Sequence, residues 1–426
     1  MKDAATVQPA DLLWHLLLAL AAVVITGRVL GRVFRLIGQP PVIGEVVAGI
    51  LLGPSLLGSI SPDAYAFLLP GSVAPGLGLI AQLGVVLYMF LVGVELDTEG
   101  LKGQLRSTVG IAFTSIAVPF ILGVWLATRL YQGLAPAGVP FMHFMLFLGV
   151  AMSITAFPVL ARILADQGIT KTPLGRLALS CAAIDDVTAW CLLAFIVGVV
   201  NSSEGSALLP SILTLAFIVF MFVAVRPLAI RFSRRWEGEE PARQAVALAL
   251  VAMLCSALIT EAIGVHAIFG AFLLGAVIPH DSRLAHVLQE RIEYLVTILL
   301  LPAFFAFTGM RTNVGLLSGW SAWLTCAAII LIATLGKFGG ALVGARIARH
   351  DWQMATSLAI LMNTRGLMEL IVLNVGLDLG VISPTLFTML VIMAIVTTMA
   401  TTPVLRMLVP EATLRRASIS PQPSSS

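Results

Sequence analysis

Charge is what this sequence lacks. Only 11% of its 426 residues are Asp, Glu, Lys or Arg, against about a quarter in a soluble globular domain, and 59% are hydrophobic. With a mean hydropathy of +1.01, the composition points to a polytopic membrane protein. Cysteine is scarce too: Cys181, Cys191, Cys255 and Cys326 all fall in apolar runs without CxxC or ligand-like spacing, and read as small buried hydrophobes. There is no HExxH, no GxSxG elbow and no Walker A loop, which leaves an intramembrane hydrolase or an ATP-driven pump little support. No cleavable signal peptide is expected, because the first apolar run, Leu12 to Ile25, follows Lys2, Asp3 and Asp11 and lacks a good small-residue cleavage site.

What is present is a series of hydrophobic runs of about 20 residues, the length a helix needs to cross a bilayer. Thirteen spans are predicted, at 10–30, 40–59, 75–96, 107–131, 140–166, 173–200, 208–232, 243–263, 264–280, 287–309, 317–346, 353–378 and 383–408. Of the 25 Lys and Arg, all but five lie after odd-numbered spans or at the C-terminal end; Lys2, Arg129 and Arg311 lie on the other side, and Lys337 and Arg365 lie within spans. The positive-inside rule then puts the N-terminus outside and the C-terminus in the cytoplasm. Residues 1–409 form the membrane domain, and the Ser/Pro-rich stretch 410–426 is expected to be a short disordered cytoplasmic tail.

A weak internal repeat organises the spans. Ala48 to Gly53 (AGILLG) resembles Gly270 to Gly275 (GAFLLG), and Phe90 to Asp97 (FLVGVELD) resembles Phe305 to Asn313 (FAFTGMRTN). Spans one to six (about 10–200) then recur as spans eight to thirteen (about 243–408), with 208–232 as a linker helix. Because seven spans separate the partners, the halves run in opposite directions, the inverted-repeat architecture of secondary transporters.

The chemistry gathers in a few spans. Asp185 and Asp186 sit side by side near the middle of an apolar stretch from Leu174 to Val200. Each ionised carboxylate at that depth costs roughly 2.5 to 3.5 kcal/mol, so the pair must be paired, hydrated or protonated. Span five carries Ser153-Ile154-Thr155-Ala156-Phe157-Pro158 and its repeat partner, span twelve, carries Asn363-Thr364-Arg365-Gly366. Both place helix breakers beside hydroxyls or an amide in mid-span, where broken helices expose carbonyls and half-helix ends to a small cation. Lys337 is the natural counter-charge: it lies about nine residues, or roughly 13 Å, from the basic end of its span at Arg346, too deep to snorkel easily. Arg365 and Glu369 are one helical turn apart and read as a structural pair bracing the broken helix. Glu95 and Asp97 are expected at the cytoplasmic rim, where they can draw cations. Glu45 has no assigned role, and His266, near a helix end, is read as structural.

Together these motifs resemble the monovalent cation:proton antiporters, in particular the monovalent cation:proton antiporter-2 family, over nearly the whole chain. The resemblance is carried by Pro40-Pro41-Val42-Ile43-Gly44-Glu45, Gly49 to Pro54, Gly93-Val94-Glu95-Leu96, Ser153 to Pro158, the Asp pair, Lys337 and Asn363 to Leu370. It implies that Asp186 is the invariant aspartate, binding cation when ionised and carrying a proton otherwise. Asp185 would be the variable partner, which is Asp in many electrogenic members, and Lys337 would pair with it. Two such carboxylates repel each other when both are ionised, so proton and cation compete for one site.

The expectation is therefore an all-α sodium/proton antiporter-like fold of about 13 transmembrane helices, with two inverted six-helix repeats and broken crossing helices. It would exchange Na+, with K+ or Li+ as alternatives, for protons by alternating access, electrogenically. Asp186 and Asp185 would hold the transported cation with help from Thr155, Ser153 and backbone carbonyls. Neither enzymatic activity nor a cofactor is expected, and no nucleic acid; the partners are the ions, the lipid bilayer and, by the resemblance, a second copy in a homodimer. The compartment would be a bacterial inner (plasma) membrane. Two alternatives stand beside this reading: a sodium-coupled organic-solute symporter, which needs a polar cavity for its ligand, and a gated cation channel, whose permeation a mid-membrane lysine would impede.

Overall fold

The computed structural model describes residues 9–95, 105–201, 208–236 and 243–408, and among them the regular structure is entirely helical. Asp97 and the tail 410–426 lie outside the described residues. In chain order the first helices are α1 (Pro9–Leu36), α2 (Pro41–Leu52), α3 (Leu57–Ile60), α4 (Pro62–Leu68), α5 (Ala74–Glu95) and α6 (Leu105–Leu134). There follow α7 (Phe141–Ser153), α8 (Phe157–Asp166), α9 (Pro173–Asn201), α10 (Leu208–Phe220), α11 (Arg226–Arg234), α12 (Arg243–Ile263) and α13 (Ala267–Val277). The last are α14 (Arg283–Leu295), α15 (Leu301–Arg311), α16 (Trp320–Ile347), α17 (Trp352–Met362), α18 (Leu367–Asp378) and α19 (Pro384–Leu408). Single π-turns join α10 to α11 and α14 to α15.

Proline and glycine punctuate the chain. Pro41, Pro62, Pro173 and Pro384 open helices at the one position where their missing N–H costs nothing. Gly38, Gly168, Gly264 and Gly380 close helices with positive φ. After each, the next residue's N–H turns back to a carbonyl of the last turn (Gln39 to Phe34, Ile169 to Leu164, Val265 to Thr260, Val381 to Gly376, 2.8–2.9 Å). This satisfies carbonyls that would otherwise be orphaned.

Among the described residues eleven helical stretches are long and apolar enough to cross a bilayer, and the bent pair α17–α18 makes twelve. The predicted count of thirteen is not reached, because the ninth predicted span is the 11-residue α13, about 16 Å long. Gly264 ends α12 just before it, and Ile278 is extended ahead of Pro279 just after it, as a residue preceding proline prefers.

The chain divides into two compact units, neither continuous in sequence. The first is built from most of α1 and α2, with α3–α5 and α10–α15; the second from α6–α8, most of α9, and α16–α19. Each unit thus draws spans from both predicted halves of the repeat.

In the first unit, helices approach to backbone contact at glycines. Gly93 of α5 lies against the Phe272 carbonyl of α13, and Gly275 of α13 against the Phe90 carbonyl of α5. Gly49 of α2 lies against Ala306 of α15, and Gly309 of α15 against the Val46 carbonyl of α2. In the second unit α16 packs along α6 through Gly336, Gly340 and Gly344, against Pro119, Thr114 and Ile111. Its apolar core gathers Val159, Leu160, Ala182, Ala341, Leu358 and Met362.

These contacts yield a paired prediction. An added methyl at Gly93 meets backbone that cannot move aside, and overpacking costs about 1–3 kcal/mol, more than the roughly 1 kcal/mol gained by replacing glycine in a helix. Gly339 has open space where a Cβ would go. Gly93→Ala is therefore expected to lower the melting temperature of the detergent-solubilised protein, and Gly339→Ala to leave it unchanged or raise it. Equal melting of the two variants would remove the close approach as a stability determinant.

Candidate ion site

The second unit interrupts two helices, and the interruptions meet. Pro158 would collide with the carbonyl of Ile154 in a continuous helix, so the chain is extended at Ile154 and Ala156 and restarts as α8 with Pro158 in its first turn. The other break, Asn363 to Gly366, bends α17 from α18 by 42°. Gly366 lies against Val159 and Ala156, where a side chain would not fit. The backbone N–H of Ala156 donates to the Thr364 carbonyl (3.0 Å), and the Thr155 hydroxyl lies 2.9 Å from the Met362 carbonyl.

The four C-terminal carbonyls of α7 have no backbone partner within their own helix, and each is answered by a side chain. Val150 O accepts from the Ser153 hydroxyl (2.9 Å). Ala151 O and Met152 O accept from the two Nη atoms of Arg365 (2.8 and 2.6 Å). Ser153 O accepts from Lys337 Nζ (2.5 Å). Two buried cations therefore stand at the negative end of a half-helix, the favourable arrangement for its dipole.

Each cation also holds a carboxylate. Lys337 Nζ lies 2.6 Å from Asp185 Oδ2 and donates to Ser115 O (3.1 Å), with both side chains of the ion pair fully buried. Arg365 Nη1 lies 2.9 Å from Glu369 Oε2, again with no exposure on either side. The Arg365 backbone is fixed from α19: its N–H donates to the Thr398 hydroxyl (2.9 Å), which lies 2.7 Å from its carbonyl.

The aspartates, adjacent on α9, are used differently. Asp185 Oδ2 is engaged by Lys337 and by the Thr155 hydroxyl (2.7 Å). Its Oδ1 and both oxygens of Asp186 are buried without a hydrogen-bond partner. The backbone N–H of Phe157, at the head of α8, lies close enough to favour the Asp186 carboxylate electrostatically, short of a hydrogen bond. Three buried carboxylate oxygens without a hydrogen-bond partner have the chemistry to accept a small monovalent cation or a proton.

The structure thus brings together Asp185, Asp186, Lys337 and Thr155, with Arg365 and Glu369 as the adjoining brace. Ser153 joins through its carbonyl on Lys337, while its hydroxyl turns back to α7. Thr398 was not anticipated; the signal for it is the run Thr397, Thr398, Thr401 and Thr402, all buried on one apolar helix. Glu95, the last residue of α5, is exposed and has Glu293 as its charged neighbour in the first unit. His266 is the N-cap of α13, and Glu45 lies near Arg28 in the first unit.

Removing one partner from a buried ion pair costs about 3–5 kcal/mol, whereas replacing both with apolar groups is often close to neutral. Arg365→Leu is accordingly expected to lower thermal stability sharply, and Arg365→Leu with Glu369→Leu to recover only part of the loss, since Ala151 O and Met152 O stay unanswered. Additive losses in this cycle, measured by thermal melting, would mean that the two side chains are not coupled.

Comparison with known proteins completes the assignment. The profile of the sodium/hydrogen exchanger transmembrane family matches residues 18–409. The chain is 44% identical to the Na(+)/H(+) antiporter NhaS4 of Synechocystis sp., covering 91% of this chain and 96% of that one. It is 38% identical to Cation/H(+) antiporter 19 of Arabidopsis thaliana over 92% of its own length, but spans only 49% of that relative. The solved structure of the sodium proton antiporter MjNhaP1 from Methanocaldococcus jannaschii superposes with a TM-score of 0.70 at 14% identity, covering 96% of this chain and all of that one, a likeness of fold. On the family match and the 44% identity, the chain belongs to the sodium/hydrogen exchanger family of multi-pass membrane transporters.

Proposed function

We propose that this protein is a secondary antiporter that exchanges a cytoplasmic monovalent cation for external protons at Asp185 and Asp186. Na+ is the first candidate, because a relative sharing 44% of residues over almost the whole of both chains is named a Na(+)/H(+) antiporter; K+ and Li+ are the alternatives. The observation that carries the proposal is the set of three buried, unpartnered carboxylate oxygens where the two broken helices cross. Asp186 and Asp185 Oδ1 would take the dehydrated cation, with Thr155 beside them, and a proton would displace it from the same oxygens.

Lys337 supplies the second charge of the cycle. It holds Asp185 by one oxygen. A cation arriving at the pair competes with the ammonium for that carboxylate, and an ammonium left without its counter-charge in a desolvated site gives up its proton. Two protons then move per cation, and the exchange is electrogenic. The second unit, with its six spans, would carry the site to either membrane face.

The same reading includes the inverted repeat, supported by the reciprocal glycine contacts of α5 with α13 and of α2 with α15. It places the N-terminus outside and the C-terminus in the cytoplasm of a bacterial plasma membrane, on the distribution of Lys and Arg. Assembly as a homodimer is proposed on the family resemblance, and cross-linking in native membranes tests it.

The deciding experiment records a pH-sensitive dye in proteoliposomes as NaCl, KCl or LiCl is added. Cation-dependent proton movement that Asp186→Asn abolishes is expected. Silence for every cation from a folded protein, or sodium flux that appears only with an organic solute, would overturn the antiport reading. Because protons and cation compete for the same oxygens, the half-saturating cation concentration should rise as pH falls; a value independent of pH would rule out a shared site. Two protons entering per cation leaving carry net positive charge inward, so a potential negative on the cytoplasmic side should accelerate exchange. Equal rates with and without a clamped potential would overturn the two-to-one ratio.

A further inference from the structure

Asn363 is the residue of the second break that its local structure least explains. It occupies the C-cap of α17 with φ −81°, so the usual reason for asparagine at a helix end, tolerance of positive φ, does not apply. Its side chain makes no bond back to the carbonyls of α17. Those are served by backbone N–H groups and by Thr364: Ile360 O accepts from Asn363 N, and Leu361 O from Thr364 N and the Thr364 hydroxyl. The residue is 7% exposed, and its amide oxygen is buried with no hydrogen-bond partner. A buried polar oxygen left unpaired is rare and costly in a folded protein, and more so in a membrane interior.

Its surroundings place it at the crossing. The carbonyl of the preceding residue, Met362, lies 2.9 Å from the Thr155 hydroxyl oxygen, which is 2.7 Å from Asp185 Oδ2. The following residue, Thr364, accepts from Ala156, the neighbour of the Phe157 N–H that faces Asp186. Arg365, next along, is pinned at both backbone atoms by Thr398. Asn363 is thus held on both sides, in the break that meets Thr155, whose hydroxyl reaches the carboxylate of Asp185. An amide oxygen is a neutral ligand of the kind hard monovalent cations accept, and it binds no proton in the physiological range.

We infer that Asn363 contributes its side-chain oxygen to the transported cation, completing from the second broken helix a coordination shell that the aspartates begin from α9. The inference rests on the antiport reading and deepens it. Its consequence is selective: a ligand that binds cation but not proton shifts the competition between them without altering the proton-carrying groups.

Proteoliposomes containing Asn363→Ala, Asn363→Ser or the unchanged protein are compared for NaCl-dependent proton movement, and the detergent-solubilised proteins for the rise in melting temperature on adding NaCl. For Asn363→Ala the half-saturating Na+ concentration should rise about tenfold at constant pH, the loss of about 1.4 kcal/mol of binding. The maximal rate should be largely retained, and the Na+-dependent rise in melting temperature should shrink in step. Asn363→Ser, with a shorter oxygen-bearing side chain, should show the same direction of change, and it replaces the alanine variant if that one does not fold. An unchanged half-saturation and an unchanged melting response to NaCl would overturn the inference, as would a lower maximal rate and melting temperature with half-saturation unmoved, the mark of a purely structural residue. If the unchanged protein itself moves no protons in response to Na+, K+ or Li+, the antiport reading has failed instead.

Discussion

A peptide group that leaves a helix inside a membrane has no water to bond, and each unpaired N–H or C=O costs several kcal/mol there. The second unit breaks two of its helices and answers nearly all the exposed groups from within. The C-terminal carbonyls of α7 go to Ser153, Arg365 and Lys337. Ala156 N and Thr364 O satisfy each other across the crossing, and Thr398 takes both backbone atoms of Arg365. Neither break supplies enough partners for itself. Each is tolerable because the other lies against it, so the crossing forms as a whole or not at all.

The charges follow from the same constraint. Lys337 and Arg365 are both fully buried, and each meets two backbone carbonyls and one carboxylate. With five groups ionised, two cations stand against the three carboxylates Asp185, Asp186 and Glu369. The one uncompensated charge falls at the aspartates, since Glu369 is matched by Arg365 within one helical turn. A single proton cancels that surplus while Lys337 stays charged; in the proposed exchange the cation takes the proton's place as Lys337 gives up its own. A balanced cluster would hold the helices as well but would have no reason to take up an ion. A larger surplus would oppose folding of the unit, because uncompensated buried charge is what ion pairs are arranged to avoid.

Much of this was legible in the sequence because membranes make charge and helix breakers conspicuous. Asp185, Asp186, Lys337, Arg365 and Glu369 stand out in apolar runs, and Pro158 and Gly366 mark the two breaks. Other features left no comparable trace. The carbonyl of Ser153 is what meets Lys337, and a backbone atom carries no sequence signature; the hydroxyl that suggested a ligand turns back to α7. Thr398 looks like any threonine on an apolar helix until its partner 33 residues away is known. The ninth span is apolar between His266 and His280, yet its helix is cut short by backbone geometry at Gly264 and Ile278. The grouping of α6–α9 with α16–α19 is a matter of packing between distant segments, which hydropathy does not encode.

The proposed inverted repeat accounts for one further regularity and for where it fails. The first break is held at Thr155 by Asp185 from the following span, α9; the second is held at Arg365 by Thr398 from the following span, α19. Asp185 comes twelve residues after the proline that opens its helix and Thr398 fourteen after its own, comparable places in the two halves. In each half a polar side chain of the following span holds the break, a carboxylate on the Thr155 hydroxyl in one and a hydroxyl on the Arg365 backbone in the other. A hydroxyl suffices for the mechanics, since it can accept one bond and donate another. The aspartates are therefore more than the breaks require for support, and the proposed exchange gives their cost in burial a reason. On the proposed reading the two halves differ in charge at one clamp only, and Lys337 balances part of that charge.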